Sequence, residues 1–165
     1  MSVQRIIGID PGLVSTGWGI IESKGSSLTF VDCGTIAPHA KLPLSERLVA
    51  LHRDLARIIE LYKPTSAAIE ETFVTATGAS TLKLGQARGA LIVTLAAQGL
   101  PVAEYATRSV KKALVGTGAA DKNQVSQMVG VLMPAAKPAL LACKHDAADA
   151  LAIAVCHAHM YTYNL

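Results

Sequence analysis

The order of the apolar runs constrains this chain most, because three short β-branched stretches precede any helical periodicity. Val3–Asp10, Gly17–Glu22 and Leu28–Ile36 are separated by turns containing Gly and Ser. They predict three successive strands in an antiparallel meander. Leu44, Leu48, Leu51, Leu55, Ile58, Ile59 and Tyr62 then recur at helical spacing, with Pro43 and Ser45 near the start and Pro64 after the end. Ser66–Glu70 predicts a fourth strand, Ala79–Gln98 a helix closed by Gly99, and Pro101–Tyr105 a fifth strand. Helices follow over Thr107–Val115, Lys122–Met133 and Asp146–His159, with breaks at Gly116, Gly118 and Pro134. The expectation is an α/β chain with a five-stranded mixed sheet flanked by helices on both faces.

That element order resembles an RNase H-like domain. The chain has 165 residues, which suits one domain over residues 1–165, and its 51% hydrophobic content excludes low-complexity disorder. Met1–Gly8 lacks the apolar core of a secretory signal, and the longest uncharged stretch, Gly89–Ala103, has 15 residues. Spanning a bilayer takes about 20, so no membrane association is expected. Cys33, Cys143 and Cys156 are odd in number and form no CxxC pair. They read as reduced, mostly buried thiols in a cytoplasmic protein, not as a zinc site.

Acid is scarce and oddly placed. Asp10 ends the strand Ile6–Ile9, and Glu70 ends Ala67–Ile69. Asp146 and Asp149 open an otherwise apolar helix, where their i, i+3 spacing puts both on one face. Burying a carboxylate costs several kcal/mol, on the order of 3–5, unless it is paired or metal-bound. The sequence around Asp10 and Asp149 offers no cation. Grouped hard oxygen ligands suit Mg²⁺ or Mn²⁺. Such ions activate water and stabilise a leaving oxygen in phosphodiester cleavage. Singly, each acid also has a plainer reading: Asp146 as a helix N-terminal acid, Asp10 as an Asp-Pro-Gly turn residue.

The net charge is only +3, yet residues 81–145 hold Lys83, Arg88, Arg108, Lys111, Lys112, Lys122, Lys137 and Lys144 against Glu104 and Asp121, a local +6. Such a block serves either as a phosphate-neutralising surface or as a solvated helix face. Phe73 sits in a polar stretch three residues past Glu70, placed to stack on an unpaired base or to anchor its loop. Gly85 and Gly89 lie one turn apart in a predicted helix, where glycine costs about 1 kcal/mol relative to alanine. They admit a closely packed helix from the same chain or from a second subunit.

Four segments together carry a family likeness. Ile7-Gly8-Ile9-Asp10-Pro11-Gly12 followed by Thr16-Gly17-Trp18-Gly19 resembles the opening of RuvC-type Holliday junction resolvases. Ala68-Ile69-Glu70 with Phe73 is similar to the family's second acidic motif, and Leu82–Gly89 to its helical signature. Asp146-Ala147-Ala148-Asp149-Ala150-Leu151-Ala152 resembles its closing acidic helix. The segments stand in family order across nearly the whole chain.

The resemblance implies a homodimeric RNase H-like nuclease that cuts four-way DNA junctions by paired symmetric nicks. It implies Mg²⁺ (or Mn²⁺), one or two ions per subunit, and a branch-migration helicase complex as partner. Asp10, Glu70, Asp146 and Asp149 carry over as metal-binding catalytic acids. Lys111 and Lys122 carry over as basic residues near the scissile phosphate, Lys122 stabilising developing charge. The DNA-contacting set is then Phe73, Lys83, Arg88, Lys111, Lys112 and Lys122. Strand alternation sends Glu71 away from Glu70, and His145 stands beside the first acid of the closing helix. An actin-like ATPase shares the strand–Asp–Gly opening but needs two such domains. A catalytically silent nucleic-acid scaffold is the third reading.

Overall fold

A computed structural model describes residues 2–72, 78–143 and 145–163, with the side chains of 161–163 left aside. Three antiparallel strands open the chain: β1 (Gln4–Asp10), β2 (Thr16–Lys24) and β3 (Ser27–Ile36). Helix α1 (Leu44–Tyr62) returns the chain so that β4 (Ser66–Glu70) pairs parallel with β1. Helix α2 (Ala79–Ala97) then delivers β5 (Val102–Tyr105) parallel to β4. The result is a five-stranded mixed sheet in the order β3-β2-β1-β4-β5. The expected meander and mixed sheet are both present.

Alternation along the strands divides the core in two. Ile7, Ile9, Ile20, Ala67 and Ile69 face α1 and α2, packing on Leu51, Leu55, Leu91 and Leu95. Ile6, Ile21 and Ala68 face the opposite side. That side is covered by α3 (Thr107–Val115), α4 (Lys122–Leu132) and α6 (His145–Tyr163). A 3₁₀ turn (Pro134–Ala136) and a short helix α5 (Lys137–Ala142) lie between α4 and α6. Pro134 was expected only as a break. α5 buries none of its six residues, so its sequence carries no apolar period to reveal it.

Helix α6 lies directly on the β1–β2 seam, and three glycines make room for it. Gly8 and Gly19 are register partners, as are Asp10 and Gly17. A methyl group on Gly17 would overlap the Asp146 carbonyl, and one on Gly8 would meet the Ala150 and Ala154 backbone. On Gly19 it would meet the Leu151 side chain at 2.7 Å. The alanines of α6 complete the close approach, since Ala147, Ala150 and Ala154 are fully buried. Among the described residues no single helix is long and apolar enough to cross a membrane.

Candidate active site

Asp10 and Glu70 end adjacent parallel strands whose last paired residues are Ile9 and Ile69, so the two carboxylates emerge side by side. Both follow residues of the α6-facing side by the period of two: Ile6, Gly8, Asp10 on β1 and Ala68, Glu70 on β4. Helix α6 starts at this edge. Its seat on Gly17 sets the Asp146 backbone over the register partner of Asp10, and one turn later Asp149 reaches the same place. One carboxylate oxygen from each of Asp10, Asp146 and Asp149 lies within 4.8 Å of the others. The i, i+3 pair and the strand-end acid expected from the sequence do converge.

Burial is the largest cause raising the Asp10 carboxyl, and the charges of Glu70, Asp149 and Asp146 add to it, pushing it up to about 8. A hydrogen bond shared with Glu70 acts the same way. Among the described residues the cation in contact with this group is Lys122, whose Nζ stands 3.4 Å from Asp149 Oδ2 at its edge. Several hard oxygen donors around one excess of negative charge fit a divalent cation of the Mg²⁺ or Mn²⁺ kind. Structural zinc sites are built mainly from Cys sulfur and His nitrogen, which this group lacks.

The acids open into a cavity of about 200 Å³ lined by Asp10, Glu70, Thr107, Lys111, Lys122 and Asp149, with Val110, Val125, Ala152 and Ile153 as its apolar wall. Lys122 is held there by its helix start. Asp121 accepts a 2.9 Å hydrogen bond from the Gln124 backbone, and Gln124 Oε1 accepts one of 2.9 Å from the Asp121 backbone. This capping box makes Lys122 the first residue of α4. The Asp149 charge beside it raises the Lys122 ammonium above the usual lysine range, keeping it protonated.

Thr107, absent from the sequence-based set, donates a 2.6 Å hydrogen bond from Oγ1 to Glu70 Oε1. No neighbouring motif announces it, because the contact spans 37 positions. Arg88, expected among the DNA-contacting residues, is held within the subunit. Its Nε donates a 3.0 Å hydrogen bond to the Glu70 carbonyl and its other end pairs with Glu104, so the guanidinium is turned inward behind the acid. Lys83 is exposed on α2. Lys112 lines a separate cavity with Gly25, Ser26 and His159, at the far end of α6 from Asp146. Glu71 donates its backbone N–H to Tyr105 at 2.9 Å and does not line the site, and His145 is exposed at the start of α6. Phe73 and Lys144 lie outside the described residues.

The sheet order, the parallel strands ending in acid and the acidic helix laid across them define an RNase H-like α/β protein with a metal-compatible carboxylate site. The family model described as crossover junction endodeoxyribonuclease RuvC matches residues 6–157. A crossover junction endodeoxyribonuclease RuvC from Xanthobacter autotrophicus is 56% identical over 159 residues, covering 96% of this chain and 92% of its own. The Azorhizobium caulinodans protein of the same name is 56% identical over 155 residues, covering 94% and 89%. Among solved structures, Thermus thermophilus RuvC in complex with a Holliday junction substrate superposes with a TM-score of 0.85 at 29% identity, covering 98% of this chain and 96% of its own. A yeast mitochondrial Holliday junction resolvase, 14% identical with a TM-score of 0.70, shares the fold. The chain belongs to the RuvC family of crossover junction endodeoxyribonucleases.

Proposed function

We propose that this protein resolves four-way DNA junctions in the cytoplasm by paired symmetric nicks, using Asp10, Glu70, Asp146 and Asp149 as catalytic acids. The convergence of Asp10, Asp146 and Asp149 within 4.8 Å carries the reading. The Thermus thermophilus relative described with a Holliday junction substrate supports the choice of DNA.

Asp10, Asp146 and Asp149 would hold Mg²⁺, or Mn²⁺ in its place, as one or two ions per subunit, with Glu70 beside them. When bound, the cation supplies water activation and neutralises charge on the attacked phosphodiester. The chain's own residues do the rest. Lys122 and Lys111 face the cavity that a scissile phosphate would enter, and Lys122 stabilises charge developing on its oxygens. Thr107 and Arg88 hold Glu70 from its side chain and its carbonyl. Lys83 and Lys112, both exposed, contribute phosphate contacts further out, and Phe73 stacks on a base at the crossover.

A second copy of the chain provides the second cut. On α2, Gly85 and Gly89 have no described atom within 4 Å of where a side chain would start, so their space is not filled from within the subunit. Leu82 and Val93, on the same stripe at helical spacing, are 66% and 65% exposed. A matching helix across a two-fold axis covers this stripe and opposes two identical sites. A branch-migration helicase complex is the further partner.

A labelled mobile four-way junction, incubated with and without Mg²⁺ beside a linear duplex of the same sequence, tests the proposal. Paired nicks in the junction alone, bearing 5′-phosphate and 3′-hydroxyl ends and requiring the metal, are expected. Equal cutting of the duplex, or cutting in EDTA, contradicts it.

A further inference from the structure

The three thiols are unequally placed. Cys156 is fully buried inside α6, its Sγ 3.9 Å from the Ser109 carbonyl. Cys33 lies on β3 and is 7% exposed, whereas Cys143, just after α5, is half-buried. Although 110 positions apart, Cys33 and Cys143 meet: Cys143 Sγ stands 3.9 Å from the Cys33 carbonyl. Cys33 belongs to the core cluster against which Cys143 packs. Neither has a part in the acid site. At 7% exposure Cys33 is shielded from oxidants in solvent.

We propose that Cys33 and Cys143 form an oxidative modification site that closes to an intramolecular disulfide when Cys143 meets a hydroperoxide. Cys143 is the partner that solvent reaches. Its sulfur attacks the peroxide, the O–O bond breaks, and with H₂O₂ one water leaves as Cys143 becomes a sulfenic acid. The Cys33 sulfur then attacks the Cys143 sulfur. The S–O bond breaks, and the departing hydroxyl takes the Cys33 proton as a second water. Two thiols lose two electrons, and one peroxide gains them.

The geometry favours this pair over any other. A disulfide requires sulfurs about 2.05 Å apart, and Cys143 Sγ already lies 3.9 Å from the Cys33 backbone, so the two side chains need only turn towards each other. Cys156 faces the Ser109 carbonyl instead. The bond ties the end of α5 to β3 only three residues before Asp146, so oxidation fixes the lead into the acidic helix.

Peptide mapping under non-reducing conditions after brief H₂O₂ treatment tests the site in the wild type and in Cys33→Ser, Cys143→Ser and Cys156→Ser. The wild type and Cys156→Ser should yield a peptide joining Cys33 to Cys143 within one chain, lost on adding dithiothreitol. In Cys33→Ser the sulfenic acid on Cys143 should persist and be trapped by dimedone. If Cys33→Ser does not fold, Cys143→Ser decides: its Cys33 should remain a thiol through the same treatment. Sulfinic acid on wild-type Cys143 beside an intact Cys33 thiol overturns the proposal. So does a link that joins two chains or includes Cys156.

Discussion

Lys122 Nζ lies 3.4 Å from Asp149 Oδ2, joining the first residue of α4 to the acidic helix across 27 positions of sequence. The contact places a fixed positive charge at the rim of an acidic cavity. It is an exposed pair, so its value for folding is small. Its position beside the proposed reacting phosphate gives it another use.

Lys122→Ala should therefore lower single-turnover junction cleavage by about 100-fold, the scale for removing one charge-stabilising donor. Thermal unfolding should change little. Junction affinity should fall modestly, and the slope of log affinity against log salt should shrink by about 1. Unchanged cleavage and unchanged slope would remove Lys122 from the site.

The Asp10 carboxyl titrates near 8 when folded against about 3.8 when exposed. A folded value raised above the unfolded one contributes stability that is full below the lower value and lost as pH rises through the upper one. Metal-free wild type should thus lose this contribution between pH 4 and 8. Asp10→Asn has no such carboxyl, so the variant's unfolding midpoint should exceed the wild type's by roughly 5 °C at pH 8 in EDTA. The excess should vanish near pH 4. Adding Mg²⁺ at pH 8 should raise the wild-type midpoint and leave the variant's nearly still.

Thr107→Val removes the 2.6 Å hydrogen bond to Glu70 while keeping the shape of the residue. Cleavage should fall about 10-fold, on the lower side of what a single positioned group contributes. Junction affinity should hold, and Thr107→Ser should recover most of the rate. Equal loss in the Val and Ser variants would show that the hydroxyl is not what matters.

Gly17→Ala places a methyl group into the Asp146 carbonyl. Overpacking of this kind costs about 1–3 kcal/mol. The variant should unfold at a lower temperature and cut poorly even where it remains folded, because the first turn of α6 is displaced. Chemical denaturation and cleavage at a permissive temperature, measured together, test both parts.

These residues also show what was legible before the structure. Strand ends at Asp10 and Glu70 stood out because β-branched runs stop at acid, and Asp146 with Asp149 because a charged pair interrupts an alanine-rich helix. Their meeting follows from topology, since parallel pairing of β1 with β4 is what aligns the first two. Gly8, Gly17 and Gly19 were visible as glycines, yet their use as the seat of α6 depends on a partner more than 120 positions away. Arg88 read as one of a basic run, because pairing with Glu104 and the Glu70 carbonyl depends on where β4 and β5 end. α5 stayed hidden for lack of a buried face. Local pattern marks strands, helices and misplaced charge, whereas contacts between distant elements leave no period to read.

The account rests on one acid group performing hydrolysis, and a binding-and-cleavage comparison of Asp10→Asn and Asp146→Asn with wild type tests it most directly. On a synthetic four-way junction in Mg²⁺, both variants should bind the DNA and neither should nick it, while wild type makes paired cuts. Cleavage by either variant at a rate near that of the wild type would contradict the assignment of the site.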